Sequence, residues 1–133
     1  MGLVSTGLGQ VTDRGSIQQS FCLPSGGSQL HFDWNFLSEE FRNYCNQGYN
    51  DTFRVSVNGA VAFEQSVDDL CSGPLTFVPG LTFDSGDDVY ATGWQSATLP
   101  IGGGGRITVR FEVDDFGDSD FDTAVLLDNI RID

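Results

Sequence analysis

Carboxylates are the residues in this chain whose number and spacing could do chemistry. Six of them fall in the eleven residues from Glu112 to Asp122, and others stand at Glu39-Glu40, Asp51 and Asp128. So dense a group between two apolar segments repels itself unless something positive sits among it. Calcium is the candidate, because it takes about six to eight oxygens from carboxylates, amides, main-chain carbonyls and water. Asp118-Ser119-Asp120-Phe121-Asp122 imitates the start of an EF-hand loop. Thr123 replaces the glycine that loop requires, however, and Asn129 stands where a glutamate should close it, so an EF-hand is excluded.

The expected site instead gathers ligands from separate loops: Glu39, Glu40, Asn50, Asp51, Asp118, Asp122 and Asp128. Asp128 shares the strand face of Leu126, Ile130 and Ile132, which predicts an inward carboxylate in need of a cation or several donors. Asp114, Asp115 and Asp120 are expected to be solvated. Tyr44 and Tyr49, in an aperiodic loop, are candidates for contact with a ligand, whereas Trp94 is expected in the core.

Other chemistries fit less well. Paired acids could serve a glycosidase, but no feature sets one carboxyl apart as the acid. His31 lies on the polar face of its strand with no Ser or Cys partner, which is a structural setting. Gly102 to Arg106 lacks the Lys-Ser/Thr of a phosphate-binding loop. One His and no CxxC pair argue against zinc. Cys45 and Cys71 sit in polar, turn-rich surroundings and are expected to form a disulfide worth about 3 kcal/mol on the chain-entropy model. Cys22, in a strand-like context, is expected to be a buried free thiol.

The elements that must position these groups read as β-strands. Residues 16–23 form one, ending at Pro24. Leu30, Phe32, Trp34 and Phe36 then alternate with His31, Asp33 and Asn35, the period of a half-buried strand. Phe53, Val55 and Val57 lead to Asn58-Gly59, the strongest hairpin signal in the chain, with Ala60 to Phe63 returning. No strand can be placed between Glu64 and Asp88. Trp94 to Leu99 is a strand closed by Pro100, and Ile107, Val109, Phe111 and Val113 alternate again. Ala124 to Ile132 is apolar on both faces at first, as a central strand should be. No helix longer than one turn is expected. The 133 residues predict a single domain, an all-β, jelly-roll-like β-sandwich of two antiparallel sheets.

The net charge of −13 makes nucleic acid and anionic membranes poor partners. No apolar run is long enough for a membrane helix. The 11 Phe, 3 Tyr and 2 Trp supply the core that an acidic disordered chain lacks. Met1 to Ser5 lacks the layout of a signal peptide, and the chain is read as a module excised from a larger surface protein.

Four stretches carry a family resemblance. Ser-Ile-Gln-Gln-Ser-Phe, Leu-His-Phe-Asp-Trp-Asn-Phe-Leu-Ser-Glu-Glu-Phe, Tyr-Asn-Asp-Thr-Phe and Gly-Asp-Ser-Asp-Phe-Asp-Thr-Ala-Val-Leu-Leu-Asp-Asn-Ile-Arg-Ile resemble the β-sandwich modules of large bacterial surface proteins. The chain is similar to choice-of-anchor extracellular domains and to the calcium-dependent ligand-binding modules of RTX-type adhesins. The last stretch also resembles the closing strand of MAM and carbohydrate-binding jelly rolls. The resemblance implies an exported, non-catalytic module in which Glu39, Glu40, Asn50, Asp51, Asp118, Asp122 and Asp128 match the family's acidic motifs. The function expected is calcium-dependent recognition or adhesion at a bacterial cell surface, with a peptide, a glycan or a neighbouring domain as partner. The alternatives are a spacer or self-associating domain rigidified by calcium and, behind it, a glycoside hydrolase.

Overall fold

The computed structural model describes residues 2–5, 14–23, 28–41, 45–48, 50–83, 88–102, 105–114 and 123–133. In chain order the elements are β1 (Gly2–Ser5), β2 (Arg14–Leu23), β3 (Ser28–Ser38), β4 (Thr52–Val57), β5 (Ala60–Ser66), the single-turn α1 (Val67–Leu70), β6 (Thr76–Phe77), β7 (Tyr90–Ala91), β8 (Gln95–Ile101), β9 (Gly105–Asp114) and β10 (Thr123–Ile132). One antiparallel sheet runs β1-β10-β3-β7-β6, with β8 also pairing β3, and the other runs β2-β9-β4-β5. Consecutive long strands mostly alternate between the two sheets, so the jelly-roll-like sandwich is the observed fold.

The alternating side chains explain why the sheets stack. Phe32, Phe36, Val125 and Leu127 from one sheet and Phe53, Val55, Val109 and Val113 from the other are all at most 1% exposed and form one core. Phe32 meets Phe111 edge-on at 5.4 Å and Phe63 at 5.5 Å between ring centroids, contacts worth about 0.5–1.5 kcal/mol each beyond burial. The Asn58-Gly59 hairpin has φ of 50° and 83° at its two central residues, the positive values a type I′ turn needs.

β10 lies between β1 and β3, and its first half is apolar on both faces because each face is covered by a hydrophobic cluster. Val125 and Leu127 enter the main core, while Leu126 joins a second cluster of Leu37, Val89 and Ala91. Val78, Leu81 and Phe83 pack onto that cluster, so the stretch that shows no period in sequence covers the outer face of a sheet. Pro100 falls inside β8 rather than ending it, on an edge strand where its missing N–H costs no ladder bond. Trp94 is 46% exposed and so is not the core residue its context suggested. Cys22 is likewise exposed, because it sits on the outward face of β2 opposite Arg106. Cys45 and Cys71 are joined by a disulfide, with 6.0 Å between Cα atoms.

Candidate metal site

Several strand ends converge at one end of the sandwich. Ser38, the last residue of β3, pairs with Thr123, the first of β10, and Thr52, the first of β4, pairs with both Asp114 and Ser66. Residues 115–122 connect Asp114 to Thr123, so chain connectivity ties both ends of the acidic segment to this end of the fold. Asp118 and Asp122 themselves lie outside the described residues, as do Asp115, Asp120, Tyr44 and Tyr49.

After Ser38 the chain bends, and Phe41 inserts into the core against Phe36 at 5.5 Å between rings. That anchor draws the two preceding residues under the surface. Glu39 is 1% exposed, and Glu40 and Asp51 are 0% exposed. An ionised carboxylate at that depth must be compensated by hydrogen bonds or a cation. A directed relay supplies part of this. Thr123 Oγ1 donates to Asp51 Oδ2 at 2.6 Å. Because that hydroxyl has one proton, its 2.7 Å contact with Ser38 Oγ requires Ser38 to donate. Ser38 Oγ in turn accepts the Glu40 N–H at 3.0 Å, and the Asp51 N–H points to Glu40 Oε2 at 3.5 Å.

Asn50 serves the neighbouring helix. Its side-chain oxygen accepts the Asp68 N–H at 2.9 Å, while the Asp51 carbonyl accepts the Val67 N–H at 3.0 Å. Ser66 and Asp69 complete a reciprocal capping box that satisfies two more backbone N–H groups. Asp68 reaches back to the Asn46 N–H at 2.8 Å, beside the Cys45–Cys71 bridge. The walls of the site are therefore set by hydrogen bonds between segments far apart in sequence.

Two expectations are corrected by the packing. Asp128 does not point into the core. Asn129 adopts φ 51° and the β10–β3 register shifts between Asp128 and Arg131, so Ile132 turns to the core while Asp128 stays half-buried on the other face, opposite Asp33. Five positions separate Asp128 from Thr123, roughly 17 Å at strand rise, so it does not join Glu39, Glu40 and Asp51. Asp114 is not a solvated loop acid. Its carboxylate binds Arg54, which also holds Glu64 at 2.7 Å. Burial lowers the Arg54 pKa, but those two carboxylates outweigh it and the net shift is upward.

Thr123 was not singled out as functional from sequence. The available signal was a hydroxyl at Thr123 in phase with the inward Val125 and Leu127, a position that otherwise calls for an apolar side chain. Arg106 and Arg131 stand toward the opposite ends of their strands, and Arg110 pairs with Glu112 at 3.1 Å. Among the described residues, no three His, Cys, Asp or Glu side chains converge closely enough to hold a metal by themselves.

No family model and no curated protein matches this sequence. Distant structural likenesses do exist. One is to a family 35 carbohydrate-binding module from Clostridium thermocellum, at 19% identity and a TM-score of 0.36, over 84% of this chain and 70% of that one. Another is to TmCBM61, solved with beta-1,4-galactotriose, at 19% identity and a TM-score of 0.34, over 91% of this chain and 64% of that one. The fold assignment rests on the strand pairing itself.

Proposed function

We propose that this chain is a calcium-dependent, non-catalytic extracellular recognition module of the kind its motifs resemble. The observation that carries the reading is the burial of Glu39, Glu40 and Asp51 at the end of the sandwich to which the acidic segment 115–122 is tethered. These are hard oxygen donors, the chemistry calcium selects. The described carboxylates do not make an ion site alone, so Asp118 and Asp122 are assigned as the ligands that complete it, with Glu40 and Asp51 as the inner wall. A bound calcium would supply positive charge where buried carboxylates meet, rigidifying the loop and the surface around it. Glu39 and Glu40 are closed to solvent, which disfavours a role as hydrolytic acid and base for a polymeric substrate.

The test is thermal unfolding in millimolar calcium against EDTA. At a hundredfold excess over Kd the ion should add about 2.7 kcal/mol, raising Tm by roughly 10 °C in a chain of this size. An unchanged Tm overturns the calcium reading. A peptide and glycan array that stays blank in calcium would favour the spacer reading over recognition.

A further inference from the structure

β5 and β8 are edge strands of the two sheets and meet on the same side of the sandwich. There a cleft of about 260 Å³ opens between β5, the edge of one sheet, and the β7–β8 edge of the other, lined by Trp34, Gln65, Leu70, Gly73, Pro74, Thr92 and Gln95. Trp34 is the innermost of these, 6% exposed and packed on Phe63 at 5.8 Å between rings. Gln65 faces inward two residues after Phe63, and Gln95 enters from the first position of β8, opposite Trp34 in register. Leu70, Gly73 and Pro74 form one wall, and the Cys45–Cys71 bridge fastens that wall at the residue after Leu70.

The lining has a definite chemistry. Among the described residues it contains no ionisable side chain, in a protein that carries a net charge of −13. Neither the Trp34 indole N–H nor the half-buried Gln65 carboxamide hydrogen-bonds to another described residue. Gln95 Nε2 spends one proton on the Thr92 carbonyl at 3.4 Å, which orients its amide. An indole beside amides that offer both donors and acceptors matches a ligand with an apolar C–H face and a ring of hydroxyls. Pockets for drug-sized ligands begin at ~300 Å³, so this cleft suits about one sugar ring, with further units running out along the open side.

We infer that the Trp34 cleft binds a neutral saccharide, through one pyranose ring seated on Leu70, Pro74 and the open edge of the indole and hydrogen-bonded by Gln65 and Gln95. The inference rests on the recognition reading and names its ligand class and its place, which is separate from the buried carboxylates. An anionic sugar is disfavoured by the charge of the chain, and a peptide would need partners for its backbone that two amides do not provide.

The experiment is a titration of neutral gluco-, galacto-, manno- and xylo-oligosaccharides, read by Trp fluorescence and calorimetry in calcium and in EDTA. Wild type should bind at least one series, and Gln65→Ala and Gln95→Ala should each weaken it about five- to ten-fold with Tm unchanged. Trp34→Phe, which keeps a core ring but removes the N–H, should also weaken binding. Binding that persists in EDTA and falls in these variants supports the cleft and removes calcium dependence from the recognition reading. Binding in calcium that none of the three variants alters overturns the cleft and leaves that reading standing. No binding of any neutral series, or binding of anionic sugars alone, overturns the inference.

Discussion

Thr123 Oγ1 hydrogen-bonds to Asp51 Oδ2 at 2.6 Å, joining the first residue of β10 to the residue before β4 across 72 positions of sequence. Both side chains are 0% exposed. This bond fixes one oxygen of a buried carboxylate and so constrains where its other oxygen can face.

Thr123→Val should therefore destabilise the protein by about 1–3 kcal/mol, the cost of removing a donor from a buried acceptor. Thr123→Ser should restore most of the loss, since it keeps the hydroxyl. Urea unfolding midpoints of the two variants are the comparison, and equal midpoints would show that the hydroxyl is not what matters.

Calcium affinity should separate the acids by place. Asp51→Asn and Glu40→Gln should weaken calcium binding about ten-fold or more. Asp128→Asn should leave it within about two-fold, because Asp128 sits roughly 17 Å along β10 from Thr123. Calorimetric titration of the three variants is the measurement. A large loss in Asp128→Asn alone would contradict the arrangement.

The free thiol and the disulfide should be distinguishable without unfolding. Exposed Cys22 should react with a thiol reagent in the native state, and Cys22→Ser should not alter Tm. Replacing both Cys45 and Cys71 with Ala opens a loop spanning 26 positions and should cost about 3 kcal/mol. The same double variant should also weaken any ligand held by the cleft wall next to Leu70.

Asp33 should titrate below an ordinary aspartate. Its carboxylate accepts from Ser96 Oγ at 2.7 Å and from Asn129 Nδ2 at 2.7 Å, and these bonds, Ser96 first, hold its pKa down. A depressed folded value means stabilisation present above the unfolded pKa of about 3.9 and lost as pH falls through the folded one. Ser96→Ala should raise the Asp33 midpoint seen by NMR, so that the loss still begins near the unfolded pKa but is smaller and complete at a higher pH. An unmoved midpoint would assign the shift elsewhere.

Much of the architecture was legible from alternation. Leu30, Phe32, Trp34 and Phe36 and then Ile107 to Val113 mark the inner faces of two strands, because side chains on a pleated strand change sides at every residue. Asn58-Gly59 marked its hairpin, since few residue pairs accept two positive φ values. The turn-rich setting of Cys45 and Cys71 and the density of carboxylates were equally local facts.

Other features depend on which strand lies beside which, and no local pattern encodes that. Asp128 lies on the outer face because it follows inward Leu127, and the Asn129 bulge reversed the phase of β10 only beyond it, turning Ile132 to the core. Strand register brought Ser38, Thr123 and Asp51 into one relay, and placed Arg54 on Asp114. The gap between the β5 and β8 edges turned Trp34, by alternation a core residue, into the floor of a cleft. Composition and period set which face of each strand is apolar, because that choice is made residue by residue. Pairing between segments tens of residues apart set which polar groups meet, because only the assembled sandwich brings its strand ends together.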